Sequence, residues 1–163
     1  MDIKVIKGDI TEMGTDAIVN AANTQLRWGS GVCGAIFEKA NGYKLQEECN
    51  KYTPIKTGEA VMTKGYDLKA KYIIHAAGPV YLGNGEDARL LESAYLNSLK
   101  IADEHNLKSI AFPSISTGVY GYPREEASLI AINTVKNFDA KSLELVIFVC
   151  FDEYTYKLYV NNL

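Results

Sequence analysis

The spacing of apolar residues changes period several times along this chain of 163 residues. Ile3 and Val5 alternate with lysines, the two-residue period of a half-exposed strand. Ala17 to Ala21, around Ile18-Val19, is a short apolar strand. Val32, Ile36 and Ala40 share one face of a helix over Val32 to Ala40, and a second helix covers about Tyr43 to Asn50. Gly58 to Thr63 and Tyr72 to Ala77 predict strands. From Ala88 to Glu104, Leu91, Ala94, Tyr95, Ser98, Leu99 and Ala102 recur at the spacing of one buried helical face, and Asn106 ends that helix in a left-handed conformation. Ser109 to Pro113 is a buried strand. Pro123 opens the next helix, where its missing N–H costs nothing. Leu145 to Cys150 is apolar throughout, as a strand covered on both faces would be. Asp152 is placed to cap a last helix carrying Tyr156 and Tyr159.

Strands that alternate with helices predict an α/β fold of three α/β/α layers around a mixed, largely parallel sheet. No repeat, linker or low-complexity tract divides the chain, so residues 1–163 are expected to form one domain and to act as a monomer. Ligands in such folds sit beyond the carboxyl ends of the strands. The loops after Val5, Ala21 and Pro113 are therefore the places to look for chemistry.

Composition narrows the ligand. The formal net charge is −3, which argues against a protein that coats nucleic-acid phosphates. A small anion held by a few backbone amides stays open. The three cysteines, Cys33, Cys49 and Cys150, form no metal-like pair and suit free thiols in a reducing cytosol. With no secretory signal and no apolar stretch of membrane-spanning length, a cytoplasmic protein without metal, cofactor or membrane contact is expected.

The first loop, Gly8-Asp9-Ile10-Thr11, offers a carboxylate suited either to an exocyclic amine such as adenine's or to capping a turn. The second runs Asn20-Ala21-Ala22-Asn23 and then Gly29-Ser30-Gly31-Val32-Cys33-Gly34, straight into a helix. Its glycines allow close backbone approach, and a helix start offers free N–H groups to an anion; a plain flexible loop is the alternative. Asn23 adds an amide for a sugar hydroxyl or a water. The third, Ser114-Ile115-Ser116-Thr117-Gly118-Val119-Tyr120-Gly121-Tyr122-Pro123, again combines hydroxyls, glycines and a following helix. Tyr120 suits a ribose or base, or else the core. Jointly the loops point to a nucleotide-like diphosphate. No Walker pattern is present. Gly29-x-Gly31-x-x-Gly34 matches the dinucleotide fingerprint in letters but lacks its strand-turn setting and acidic ribose reader.

These residues resemble the macrodomain family, closest to its MacroD-like branch. The resemblance rests on Gly8 to Thr11, Asp16 to Asn23, Lys56-Thr57-Gly58-Glu59-Ala60, His75-Ala76-Ala77-Gly78-Pro79 and Ile115 to Pro123, in order and across nearly the whole chain. It implies an ADP-ribose cleft: Asp9 and the Ile10 backbone at the adenine, and Asn23 at the distal ribose with Asn20 and Ala22 beside it. Gly29, Gly31, Val32 and Cys33 would clamp the diphosphate from one side. Ser116, Thr117, Gly118, Val119 and Tyr120 would close it from the other, with Tyr120 against the distal ribose. It further implies hydrolysis of mono-ADP-ribose esters from acidic side chains of modified proteins. The alternatives are a non-catalytic ADP-ribose reader and an ADP-ribose 1″-phosphate phosphatase. ADP-ribosylated proteins, or ADP-ribosylated nucleic-acid ends, would be the partners.

The second loop departs from the branch pattern, Gly-Gly-Gly-Val-Asp-Gly-Ala-Ile-His. Here Ser30 replaces the middle glycine, Cys33 the aspartate and Phe37 the histidine. The catalytic assignments thus fall on Asn23 and on Cys33, with Cys33 expected to be a neutral, packed thiol rather than a base. His75 is expected in the core and Glu38 on the solvated face.

Overall fold

Short apolar runs become strands at the centre, and the amphipathic runs between them become helices that cover both faces. A computed structural model describes residues 1–163. Its strands are β1 (Asp2–Lys7), β2 (Ala17–Ala22), β3 (Ala60–Lys64), β4 (Tyr72–Ala77), β5 (Ser109–Phe112) and β6 (Leu145–Cys150). Its helices are α1 (Gly31–Ala40), α2 (Gly42–Cys49), α3 (Asp87–Glu104), α4 (Arg124–Lys136) and α5 (Glu153–Asn162). The strands form one sheet in the order β1-β6-β5-β2-β4-β3. Every neighbouring pair is parallel except β3 with β4.

The two-residue period of β2 divides its side chains between two cores. Ile18 and Ala22 join Ile36, Phe37 and Leu45 beneath α1 and α2. Ala17 and Val19 join Leu91, Tyr95, Ala131 and Tyr159 beneath α3, α4 and α5. This is the three-layer α/β/α arrangement. At the end of α3, Asn106 takes φ 59° and the Leu107 N–H reaches the Ala102 carbonyl at 3.0 Å, the left-handed termination expected. No helix is long and apolar enough to cross a membrane.

Several boundaries differ from the sequence reading. β3 starts at Ala60 rather than Gly58, because Gly58 has φ +91° and the Glu59 carboxylate accepts from the Lys56 N–H at 2.8 Å, closing a turn. Pro123 stands just outside α4 with ψ 124°, so the helix begins at Arg124. Ile10–Glu12 forms a 3₁₀ turn, too short to show a period.

The connections place the functional face. β2 and β5 pair only through Ala17–Ile110 and Ile18–Ala111. Beyond them β2 leads to α1 on one face of the sheet, and β5 leads to α4 on the other. Adjacent strands whose chains leave in opposite directions open a crevice at their carboxyl ends.

Candidate functional site

The crevice is a cleft of about 390 Å³. One wall is the β2–α1 loop, with Ala22, Asn23, Gly29, Gly31, Val32 and Cys33 in its lining; the other is the β5–α4 loop, with Ser116, Gly118, Val119 and Tyr120. Of the residues singled out by sequence, these ten meet here. Ala21, Ser30, Gly78, Ser114 and Ile115 also line it.

The first wall is braced by its own residues. The Asn23 side chain accepts from the Arg27 N–H and donates to the Arg27 carbonyl, both at 3.0 Å. Its amide thus spends one N–H and one lone pair on shaping the loop and keeps the others for a ligand. Trp28 then anchors the loop to the helices. Its indole stacks on Phe37 at 5.8 Å, and its backbone N–H donates to Gln46 Oε1 at 2.7 Å. Phe37, where the branch pattern has a histidine, is thus a packing residue. At the start of α1, Ser30 makes no side-chain cap and no acidic residue lies in the first turn. The N–H groups of Gly31, Val32 and Cys33 find no backbone acceptor, which leaves the positive helix end open to an anion.

Cys33 is buried. Its thiol donates to the Arg27 carbonyl at 3.5 Å and accepts from Asn20 Nδ2 at 3.6 Å. Burial pushes its pKa up from the ordinary 9.0, against smaller lowering by bonds from Asn20 and the Gly29 backbone. The thiol is neutral near pH 7.

The second wall differs. Ser116 sits at φ 68°, and after it the N–H groups of Thr117, Gly118, Val119 and Tyr120 have no backbone acceptor. Successive free amides around a left-handed residue make an anion-binding concavity. The start of α4 does not share this role, contrary to the sequence reading: Glu125 and Glu126 fill its first turn and oppose an anion there. A Cβ on Gly78, on the cleft wall, would collide with Ser116 Oγ and Ile115, so the loop passes directly over that glycine.

Four of the expected site residues lie outside the lining. Asn20 is fully buried beneath the first wall; its Nδ2 donates to His75 Nδ1 at 3.0 Å and to Cys33. With Nδ1 an acceptor, the His75 Nε2–H is the donor to Thr63 Oγ1 at 2.9 Å. Burial holds the His75 pKa down at about 3, so it is the neutral core histidine expected from its place in a strand. Thr117 turns its hydroxyl back to the Ser114 carbonyl at 2.9 Å. Ile10 is buried in the apolar layer under α1. Asp9 is exposed beyond β1 and caps the 3₁₀ turn, accepting from the Thr11 hydroxyl at 2.7 Å and the Thr11 N–H at 2.9 Å. Those bonds, the hydroxyl's first, hold its pKa below the ordinary 3.8.

Phe151 was not anticipated. It directly follows β6 and is 86% exposed, and the Cys150 carbonyl before it accepts from the Gly8 N–H at 3.0 Å. An exposed ring therefore follows the strand that pairs with β1, and β1 leads to Asp9. The sequence signal was an aromatic placed between a buried strand and a capping aspartate.

Residues 19–131 match the family model of the Macro domain. A Macro domain-containing protein of Chlorobaculum tepidum is 54% identical over 154 residues, covering 93% of this chain and 89% of that protein. A Salmonella newport protein named O-acetyl-ADP-ribose deacetylase is 48% identical over 168 residues, covering 99% of this chain and 93% of its own. Among solved structures, a mutant of the Oceanobacillus iheyensis macrodomain with ADP-ribose matches at TM-score 0.92 and 39% identity, covering 97% of this chain and 89% of that one.

Proposed function

This chain belongs to the Macro domain family, and on that premise we propose that its cleft binds ADP-ribose and hydrolyses esters joining the distal ribose to a carboxylic acid. The acid is an acetyl group or an acidic side chain of a modified protein. The observation that carries this reading is the pair of facing amide walls, Gly31 to Cys33 against Thr117 to Tyr120, with no carboxylate in the lining between them. A diphosphate fits that field. Asp9, ionised and pre-oriented by Thr11, accepts from the adenine amino group, and Phe151 offers its ring to the base. Tyr120 lies against the distal ribose.

The chemistry is addition of water to the ester, which yields the free carboxylic acid and ADP-ribose with its ribose hydroxyl restored. Cys33 and Tyr120 are the only ionisable side chains in the lining. The Cys33 proton is bound to the Arg27 carbonyl and its pKa is raised, so it is no general base. Catalysis then rests on holding ribose and diphosphate so that a water is aligned beside the substrate's own phosphate. The same absence of a base favours a second reading, an ADP-ribose reader without turnover.

Titration calorimetry and product release separate these. ADP-ribose gives saturable heat, and Asp9→Asn weakens binding about tenfold, the loss of a charge-assisted bond. Wild-type protein releases ADP-ribose from O-acetyl-ADP-ribose or from a glutamate-modified protein. Binding without release makes the chain a reader, and no heat at high micromolar protein removes both readings.

A further inference from the structure

Two fully buried tyrosines reach the second wall from beneath. Tyr95 comes from α3 and Tyr159 from α5. The Tyr95 proton is placed by partners that can only donate or only accept. The Ile115 N–H can only donate, and it does so to the Tyr95 hydroxyl at 3.1 Å. The Pro113 carbonyl can only accept, and it takes the Tyr95 proton at 3.3 Å. The fully buried Tyr159 hydroxyl meets hydrogen-bond geometry with Ser114 Oγ alone, at 3.2 Å, and donates there rather than leave its proton buried and unsatisfied. A serine hydroxyl has one proton and two lone pairs. Ser114 Oγ accepts from Tyr159 and makes no other protein hydrogen bond, so its own proton is free. Ser114 is half-buried and lines the cleft.

We propose that Tyr159 is a positioning residue that fixes the Ser114 hydroxyl as a hydrogen-bond donor into the cleft, toward a phosphate oxygen of the ligand. This rests on the reading of that ligand as ADP-ribose. Tyr159 acts only through Ser114. Its burial under α5 keeps water from competing for the Ser114 lone pair, so the serine rotor is held in one orientation before the ligand arrives. Polarisation along the chain strengthens the final bond.

The test is calorimetric titration of ADP-ribose into wild type, Ser114→Ala, Tyr159→Phe and the double variant. Each single change weakens binding about tenfold, as expected for one bond to a charged acceptor. The double variant binds no more weakly than Ser114→Ala, because the tyrosine has lost the group it acts through. Wild-type affinity in Tyr159→Phe or in Ser114→Ala would overturn the proposal, as would losses that multiply in the double variant. Ser114→Ala, at a half-buried position, decides whether the hydroxyl donates even if Tyr159→Phe folds poorly. Absence of wild-type binding is a separate result: it removes the ADP-ribose reading itself, and this inference with it.

Discussion

The two walls of the cleft solve one problem, holding free amides toward an anion, by different means. The β2–α1 loop is held by side chains of its own segment and by the apolar α1–α2 layer: Asn23 on Arg27, Trp28 on Phe37 and Gln46, Cys33 on Arg27. Its only deep polar support is the Asn20–His75–Thr63 chain. The β5–α4 loop is held from beneath by hydroxyls of Tyr95 and Tyr159, and from the side by the Tyr81 N–H on the Tyr120 carbonyl at 2.9 Å. The departures Ser30, Cys33 and Phe37 all fall in or behind the first wall. Binding scaffold and reactive group are thus separable here: substitution in the first wall can change chemistry while the second wall still grips the ligand.

Opposite responses to pH give the largest test of this contrast. His75 is neutral in the fold, with its pKa lowered from the ordinary 6.5 to about 3 by burial. The unfolded chain therefore binds more protons in that window, so stability is full above pH 6.5 and falls as pH drops toward 3. The slope approaches about 1.4 kcal/mol per pH unit. Denaturant melts from pH 6.5 to 4.5 are expected to lose about 2 kcal/mol, since the slope builds up only below pH 6.5, and His75→Gln should flatten the curve. Beneath the second wall, burial pushes Tyr159 up from 10.0 to about 12, so stability is full below pH 10 and falls as pH rises toward 12. A wild-type acid limb as flat as the variant's would break the comparison.

Restoring a carboxylate tests the chemistry of the first wall alone. Cys33→Asp places an acid in the first turn of α1, where the helix end stabilises its charge. The expected outcome is about 100-fold faster release of ADP-ribose from a glutamate-modified protein, the low end of general-base assistance, with weaker binding of ADP-ribose because the carboxylate and the diphosphate share one helix end. An unchanged rate would mean that the first wall does not host the reacting water.

Glycine substitutions give a smaller effect and separate the walls by packing. A Cβ on Gly34 would stand 2.6 Å from the Gly29 carbonyl oxygen, so Gly34→Ala must displace the first loop and should cost about 1–3 kcal/mol of stability. A Cβ on Gly118 meets nothing within 4 Å, and Gly118→Ala should stay within about 0.5 kcal/mol of wild type. Equal melting temperatures for the two variants would show the first loop to be as open as the second.

Much of this protein is set locally and can be read from the chain. The two-residue period of β1, the helical face from Leu91 to Ala102 and the unbroken apolar run of β6 each follow from burial of one face or two, and neighbours in sequence carry that signal. So do the strand-end loops, because parallel strands must release the chain at their carboxyl ends. What tertiary structure alone decided are matters of partnership. The Asn23 amide uses one N–H and one lone pair on Arg27, the start of α1 rather than α4 is left open to an anion, and Phe151 follows the strand that pairs with β1, which leads to Asp9. The Ser114 proton is free because Tyr159, 45 residues away along the chain, donates to its oxygen. A hydrogen bond depends on which groups meet and which have protons left to give, and only the folded chain brings those groups together.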